Sequence, residues 1–362
     1  TVYNVKKDKT EKIAQIFFMK GKQQINAEKL VTGDIGAVAK LASVETTDTL
    51  CAKERPVLLD EIVFPAPMLA MAVLPKSKGD EDKIGTGLHR LMEEDQTFRM
   101  ELNKETHQTL LYGIGDQHLD VITSKLRSKF KTEVELADPI VPFRETIKKK
   151  VKVEGKHKKQ SGGHGQFGDV WIEFAPGDEE GLTFEEKVVG GAVPKQYFPA
   201  VEKGLIDSMQ HGVLAGYPMV HLKATLVDGK YHDVDSSEMA FKIAANLAYK
   251  EGVRQAGPVL LEPVANVEVF VPDSYMGDII GDMNKRRGRI MGMNPVDGGF
   301  QQVSAEVPVA EMFKYPTELR SMTQGRGWYT QEFARYDEAP QLVAEKVIAE
   351  AAKHRKEEKE ED

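Results

Sequence analysis

Cysteine is almost absent from this chain of 362 residues, which contains Cys51 alone. A single cysteine excludes an intramolecular disulfide framework, and such scarcity is typical of proteins that fold in a reducing compartment. The sequence also lacks an apolar run long enough to span a bilayer, and its opening residues do not form a secretory leader. We therefore expect a cytoplasmic protein with no membrane partner, in which Cys51 is a small buried side chain.

Sequence patterns of catalysis are missing as well. There is no G-x-x-x-x-G-K-[ST] phosphate loop, and residues 284–286 do not continue to the Asp that guanine recognition requires. No spacing suggests a Ser-His-Asp, Cys-His or paired-carboxylate site. His118 with Asp116 and Asp120 is a weak metal motif, because side chains two residues apart on a helix point away from each other. We therefore expect this chain to have no catalytic residue, metal site or cofactor site, and to be no enzyme by itself.

The composition, 41% hydrophobic and 29% charged, is sufficient for several domains with their own cores. The net charge of -8 argues against a protein that coats nucleic acid with its whole surface. One segment is nevertheless strongly basic, and a glycine-rich loop follows it, so we expect it to face phosphate rather than only solvent. Its cations are Lys148, Lys149, Lys150, Lys152, Lys156, Lys158 and Lys159.

A second stretch joins a predicted strand to a predicted helix. Residues 221–227 alternate between apolar and polar side chains, which is typical of a half-buried β-strand. The helix begins near Ser236, with Asp235 or Ser236 able to cap its first turn, and it ends before Gly257. Apolar residues at helical spacing predict its buried face. They are Met239, Ile243, Leu247 and Ala248.

Between this strand and helix, residues 228–233 contain no position that the pattern predicts to be buried, so we expect an exposed tip. Lysine can neutralise a phosphate, tyrosine can stack on an unpaired base, and histidine can hydrogen-bond to a ribose or phosphate. The segment is thus a candidate RNA-binding tip, with an ordinary solvated loop as the alternative. Its candidate residues are Gly229, Lys230, Tyr231, His232 and Asp233.

The glycine loop, residues 161–168, is the second candidate site. It matches the G-x-G-x-x-G pattern, but a dinucleotide site requires a strand before that pattern and a helix after it. Here charged residues precede the loop and a strand-like stretch follows, so we predict a hairpin whose glycines let the backbone approach a phosphate chain. The candidate RNA-binding residues of this region are Lys158, Lys159, Ser161, Gly162, Gly163, His164, Gly165 and Gln166.

Hydrophobic periodicity divides the chain into five segments. Residues 1–64 contain short strands and are typical of part of a β-barrel. Residues 65–138 and 265–340 each follow a strand, helix, strand, strand, helix, strand order, which is the ferredoxin-like pattern. Residues 139–264 carry both candidate loops, and residues 341–362 are a helix followed by a charged tail that we expect to be disordered. The predicted fold class is multi-domain α+β, with a partial β-barrel and two ferredoxin-like domains flanking an elongated α+β domain.

Two further features belong to the ferredoxin-like segments. In the first segment, residues at helical spacing predict one buried helix face. In the second, Arg286 ends a predicted helix and Arg287 follows it, where they could bind RNA phosphates or simply favour the helix C-terminus. The predicted buried face consists of Leu119, Ile122, Leu126 and Phe130.

The run from Tyr231 to Phe241 closely resembles the tip of domain IV in the elongation factor G family, the translocases among the translational GTPases. The glycine loop also resembles a tip loop of that domain, with His164 where the family commonly has a basic residue. The likeness covers nearly the whole chain. Residues 32–38 and 47–51 resemble domain II, residues 113–120 and 144–147 resemble domain III and its exit, and residues 281–288, 305–308 and 319–321 resemble domain V.

The resemblance implies a ribosomal function. In the family a G domain precedes domain II and uses GTP and Mg²⁺, whereas this chain begins at Thr1 within the domain II pattern, so we expect a C-terminal portion without that domain. The implied partners are the ribosome with its rRNA, and the tRNA–mRNA complex in the decoding-centre A site, which domain IV would enter to prevent slippage. We expect the protein to be a monomer.

Two alternatives stay open at this stage. The chain could belong to a stand-alone ribosome- or RNA-binding protein that never uses GTP. It could also belong to a specialised paralogue that serves ribosome recycling or antibiotic protection, although the tip from Tyr231 to Glu238 favours translocation. The coding region upstream of Thr1 would distinguish the first alternative.

Overall fold

The chain forms two units, Thr1–Pro139 and Ile140–Asp362, in an α+β architecture. The computed structural model describes residues 1–160 and 165–361, the last eight of these by their backbone alone. The described strands form several separate sheets, none of which closes into a barrel. In the same residues, no helix combines the length and the apolar character that a bilayer span requires.

The first 64 residues form two small antiparallel sheets. One has the strand order β2-β1-β6 and the other has the order β4-β3-β5. The predicted short strands are therefore present, but as two open three-stranded sheets. The strands are β1 (Val2–Asn4), β2 (Lys9–Glu11), β3 (Ile16–Lys20), β4 (Gln23–Ala27), β5 (Ala37–Val38) and β6 (Leu50–Cys51).

The first predicted ferredoxin-like pattern is confirmed. Its four strands form one sheet in the order β10-β7-β9-β8, with both helices in the same hydrophobic core. On the second helix, Leu119, Ile122 and Leu126 are fully buried and Phe130 packs against them, as the helical spacing predicts. The elements are β7 (Leu69–Pro75), α1 (Glu81–Glu94), β8 (Arg99–Leu102), β9 (Thr109–Gly113), α2 (Asp116–Phe130) and β10 (Val134–Ala137).

The second unit begins with a four-stranded sheet in the order β12-β13-β15-β14. Two helices pack on one face of this sheet, and Gly168 lets one of them approach closely, because a Cβ atom there would lie 2.6 Å from the Ala240 carbonyl oxygen. The elements are β11 (Arg144–Ile147), β12 (Val151–Lys159), β13 (Gln166–Pro176), β14 (Leu182–Glu186), α3 (Phe198–Met209), β15 (Leu222–Lys230) and α4 (Glu238–Gln255).

The buried face of α4 differs from the predicted one. Met239 and Leu247 are 60% and 40% exposed, whereas the side chains that meet the sheet are mostly small. Small side chains let the helix lie close to the strands, so the bulky residues of the predicted face are left at the margin. The buried residues of α4 include Ala240, Phe241, Ala244, Ala245, Ala248 and Tyr249.

The second predicted ferredoxin-like pattern is also confirmed. Its sheet has the order β19-β16-β18-β17, and β11 pairs with the first residues of β16. The final helix extends to Glu361, so the prediction of a disordered tail after Lys353 is wrong; Glu and Lys dominate this tail and are good helix formers. The elements are β16 (Pro258–Pro272), α5 (Met276–Lys285), β17 (Arg289–Val296), β18 (Phe300–Pro308), α6 (Tyr315–Thr323), β19 (Trp328–Glu338) and α7 (Gln341–Glu361).

Candidate nucleic-acid interface

Both candidate loops lie at the same end of the β12-β13-β15-β14 sheet. The antiparallel strands β12 and β13 pair from Val151 opposite Phe174 to Lys159 opposite Gln166, which confirms a hairpin rather than a dinucleotide fold. Strand β15 pairs with β13 and ends at Lys230 opposite Asp169. The chain therefore leaves β15 beside the hairpin connection.

The predicted tip is shorter than its sequence pattern indicated. Strand β15 continues past Val227 to Lys230, and Gly229 is buried, so the prediction of a wholly exposed segment 228–233 is wrong at that position. A Cβ atom on Gly229 would lie 2.3 Å from the Asp169 carbonyl oxygen, which explains the need for glycine there. The loop that follows β15 begins at Tyr231, and we call residues 231–237 the tip strap.

His232 organises the tip strap through its own ring. Its Nδ1 atom accepts hydrogen bonds from the backbone N–H groups of Val234, at 3.3 Å, and Asp235, at 3.2 Å. Its backbone N–H donates to the Ser236 hydroxyl at 2.9 Å, and its carbonyl accepts from the Ser236 N–H at 3.1 Å. A nitrogen that accepts must carry a lone pair, so the neutral ring holds its proton on Nε2. The side chain is 55% exposed, which leaves this donor accessible.

Asp235 and Ser236 fasten the tip strap to the glycine loop. The Asp235 carboxylate accepts from the Gly165 N–H at 3.0 Å, and the Asp235 carbonyl accepts from the Phe167 N–H at 2.8 Å. The Ser236 hydroxyl donates to the Phe167 carbonyl at 2.9 Å. A Cβ atom on Gly165 would lie 2.9 Å from the same carboxylate, so a side chain there would disturb the junction. The two candidate loops are therefore parts of one structure.

This arrangement corrects the predicted helix cap. Ser237, rather than Asp235 or Ser236, caps α4, and its hydroxyl oxygen accepts from the Ala240 N–H at 3.2 Å. Asp235 and Ser236 are free to bind the glycine loop because the cap lies after them. Sequence reasoning missed this second role, since no local pattern reveals a contact between residues 70 positions apart.

The lysines of the basic segment and of β15 differ in their partners. Lys148 lies 2.7 Å from Glu338 and Lys150 lies 2.6 Å from Glu173, whereas Lys156 lies 3.6 Å from Asp169. Lys158, Lys159 and Lys230 are exposed, and none of them forms an ion pair with a described side chain in residues 1–160 or 165–353. These last three cations lie at the tip end of the sheet and can meet phosphate.

Asp169 lies beneath this basic surface. Its side chain is 1% exposed, and burial raises the pKa of its carboxyl above the usual range, with Glu154 adding to the effect and Lys156 and Lys230 opposing it. Neither of its oxygens has a hydrogen-bond partner among the described residues.

The remaining candidates of the tip region are placed as follows. Ser161, Gly162, Gly163 and His164 lie outside the described residues. The amide oxygen Oε1 of Gln166 accepts a 2.8 Å hydrogen bond from His157 Nε2. Tyr231 is 46% exposed and Asp233 is exposed, so both can be reached from solvent.

The two arginine candidates lie in the second ferredoxin-like domain and are held by carboxylates. Arg286 is 8% exposed; it donates to Asp282 at 2.8 Å and also pairs with Glu318. Arg287 donates to both oxygens of Glu262, at 2.7 and 2.9 Å. Carboxylates of the same domain thus explain the positions of both arginine side chains. Their contact with rRNA stays a prediction.

The weak metal motif at His118 has a structural explanation. His118 Nδ1 accepts from the Ile114 N–H at 3.2 Å, and its Nε2 lies 3.0 Å from the Asp95 carboxylate. Hydrogen bonds from Thr97 and His118 hold the pKa of Asp95 below its usual range against the opposing effect of burial. The histidine therefore joins two segments of the first ferredoxin-like domain. Among the described residues, no group of three or more potential metal ligands occurs.

Three family models match successive parts of the chain. Residues 64–138 match elongation factor G domain III, residues 139–271 match elongation factor G domain IV, and residues 259–347 match the elongation factor G C-terminus. A crystal structure of a protein from Thermus thermophilus is similar over 94% of this chain, with 38% sequence identity and a TM-score of 0.78. The chain spans about half, 51%, of the length of that structure.

Proposed function

Because the chain belongs to the elongation factor G family, we propose that it acts on the ribosome in the GTP-dependent movement of tRNA and mRNA. In this proposal the tip strap and the glycine loop enter the decoding-centre A site together. They contact the tRNA–mRNA backbone and keep it from slipping back. The protein acts as a monomer in the cytoplasm, with the ribosome as its partner.

The observation that carries the proposal is the fastening of two loops into one exposed tip. Asp235 and Ser236 hold both loops in a defined relative position, which a steric and hydrogen-bonding contact with RNA requires. Lys158, Lys159 and Lys230 supply charge at the same end of the sheet. The lysine charges attract the phosphate backbone, while the fixed tip offers the RNA a defined steric and hydrogen-bonding surface.

Three contacts are assigned within this tip. The exposed Nε2–H of His232 donates to a ribose or phosphate oxygen, and the half-exposed ring of Tyr231 stacks on an unpaired base. The free lysines neutralise phosphates. No covalent chemistry is required of His232, whose Nδ1 lone pair is already engaged by two backbone N–H groups.

GTP binding and hydrolysis are assigned to other parts of the factor. Phosphate positioning and charge stabilisation require a phosphate loop and Mg²⁺, and the sequence of this chain has no phosphate loop. The chain alone should therefore not bind GTP. Saturable GTP binding by the chain alone would contradict this assignment.

The proposal is tested by single-turnover tRNA–mRNA movement on programmed ribosomes with GTP and the factor that carries this chain. His232→Ala should slow movement about tenfold, since a hydrogen bond to a charged group is lost. Met239→Ala is the matched control, because Met239 is 60% exposed on the first turn of α4 and makes no contact assigned to RNA. Unchanged movement with His232→Ala would remove the role given to this residue.

A further inference from the structure

The sheet of the second ferredoxin-like domain has one face covered by helices and one open face. On the covered side, Val269, Val303 and Tyr329 are buried. Side chains alternate along a strand, so their sequence neighbours lie on the open face. Cross-strand pairing aligns four of these neighbours in a single row, which we call the outer row. It consists of Trp328 on β19, Phe270 on β16, Gln302 on β18 and Asn294 on β17.

The two rings of the outer row form a stack that is open at one end. Phe270 and Trp328 are nearly parallel, with ring centroids 5.2 Å apart and planes 8° apart. Phe300 lies against the same indole at 5.2 Å in a tilted arrangement. Trp328 is on the edge strand and is 44% exposed, and it has no other ring partner among the described residues. A further planar group can therefore extend the stack on its outer side.

The other half of the outer row carries amides. Gln302 is half-buried and Asn294 is exposed, and neither side chain has a hydrogen bond to a described residue. An amide offers both a donor and an acceptor, which is the pairing that the edge of a nucleobase presents. A row of two rings followed by two amides thus combines a stacking surface with groups that can bind a base edge.

The charges around the outer row define where a phosphate can lie. Glu268 is exposed in the next row of the same face and repels phosphate there. Arg326, two residues before Trp328, is exposed, and its guanidinium lies over the Tyr275 ring at 5.0 Å and donates to the Tyr275 hydroxyl at 2.7 Å. No described carboxylate forms an ion pair with Arg326. Arg326 is therefore close in sequence to Trp328, whose outer side is the open end of the stack.

We propose that the outer row is a second RNA-binding site, which stacks one unpaired base on Trp328 and places the adjoining phosphate at Arg326. An unpaired base fits because the outer row combines stacked rings with two amides that can bind a base edge. A protein partner would need a wider apolar surface. The site does not depend on the tip and uses none of its residues.

Tryptophan fluorescence tests the proposal locally. The chain has two tryptophans, Trp171 and Trp328, so Trp171→Phe leaves Trp328 as the only emitter. Short single-stranded oligoribonucleotides should quench this emission saturably, whereas duplex RNA and an abasic oligonucleotide of equal length should not. Equal quenching by the abasic oligonucleotide would overturn base stacking, and absence of quenching by single strands would overturn the site.

Substitutions then distinguish base stacking on Trp328 from non-specific electrostatic attraction of the oligonucleotide. Trp328→Ala should weaken binding of the single-stranded oligonucleotide about tenfold, because base–aromatic stacking is lost. Phe333→Ala is the matched control: Phe333 is 62% exposed on the same strand but outside the outer row, so binding should be unchanged. Gln302→Ala should weaken binding without altering its salt dependence. Equal affinities for Trp328→Ala and Phe333→Ala, or an unchanged affinity for Gln302→Ala, would overturn the assignment.

Discussion

Two basic clusters of this protein look alike in sequence and differ in structure. Lys158, Lys159 and Lys230 surround the tip and have no ion-pair partner among the described residues. Arg286 and Arg287 are enclosed by carboxylates of their own domain. A cluster of positive charge is therefore available to phosphate only where the fold leaves the charge unpaired.

The largest expected effect concerns stability in the arginine cluster. Arg287→Met leaves Glu262, whose side chain is 5% exposed, without its bidentate partner. Loss of one member of a buried pair costs about 3 kcal/mol of unfolding free energy. The same substitution at Lys158 should change stability by less than about 0.5 kcal/mol, since no ion pair or burial is lost. Urea denaturation followed by circular dichroism measures both values.

A double variant sharpens this test. Arg287→Met combined with Glu262→Gln removes the unpaired charge and should recover part of the lost stability. Equal stability of the Arg287 and Lys158 single variants would mean that the two clusters do not differ as the ion pairs indicate.

The next effect concerns the fastening of the tip. Asp235→Ala removes the acceptor of the Gly165 N–H and should cost about 1–2 kcal/mol locally. Amide hydrogen exchange at Gly165 and Phe167 should therefore become faster, whereas exchange in the second ferredoxin-like domain should not change. Glu238→Ala is a matched control, because Glu238 is an exposed acidic residue three positions later with no assigned contact to the glycine loop. Unchanged exchange at Gly165 would mean that the loops are not held together by Asp235.

Much of the fold is predictable from periodicity, and the reason is visible in α2. Leu119, Ile122 and Leu126 are large, regularly spaced and all buried, so the helical pattern identifies the core face. In α4 the pattern fails because the buried face is built largely of alanine, which gives little hydrophobic signal. Met239 and Leu247 dominate the pattern but lie at the exposed margin.

The candidate site is predictable only in part. The tip residues Tyr231 and His232 are exposed as expected, since no apolar pattern includes them. The end of β15 is not predictable, because a bulge opposite Trp171 and Ile172 shifts the alternation and polar residues follow it. Asp235 resembles a helix cap locally, and only the folded sheet brings it to Gly165.

Two buried carboxylates extend the comparison to pH. Glu262 is paired with an arginine, while Asp169 lacks a hydrogen-bond partner among the described residues and burial raises its pKa. The folded protein therefore holds a proton on Asp169 more tightly than the unfolded chain. Stability from this group is present below the ordinary pKa range of aspartate and is lost as pH rises through the raised value.

Asp169→Asn should consequently reduce the loss of unfolding free energy that occurs as pH rises. Unfolding free energies of the variant and the unmodified protein, measured from acidic to neutral pH, should diverge in favour of the variant as pH rises. Asp228→Asn, at an exposed position of β15, is the control and should show no such divergence. Parallel curves for Asp169→Asn and the unmodified protein would contradict the effect.

A smaller effect, on the salt dependence of ribosome affinity, distinguishes the charge of the lysines from the shape and hydrogen bonding of the tip. Lys158→Ala should reduce the slope of log affinity against log salt by about one counterion. Arg286→Ala, judged only if it remains folded, should leave the slope unchanged, because its charge is already paired. His232→Ala should also leave the slope nearly unchanged while impairing tRNA–mRNA movement. If all three variants lowered the slope equally, the tip and the arginine cluster would form one diffuse electrostatic surface.

The smallest expected effect concerns which nitrogen of the His232 ring carries the proton. It extends the contrast between the tip and the arginine cluster. The arginines direct their donors into their own domain, whereas His232 uses Nδ1 to accept from Val234 and Asp235 and turns Nε2–H toward solvent. Ring ¹⁵N chemical shifts at neutral pH should therefore show His232 as the Nε2–H tautomer to a greater extent than His89, which is exposed on α1. Gly replacement of Val234 keeps the backbone donor and should preserve the tautomer, whereas Pro replacement removes that donor and should weaken the preference. Identical tautomer populations at His232 and His89 would mean that the ring does not hold the strap, and the donor assigned to RNA contact would lose its fixed direction.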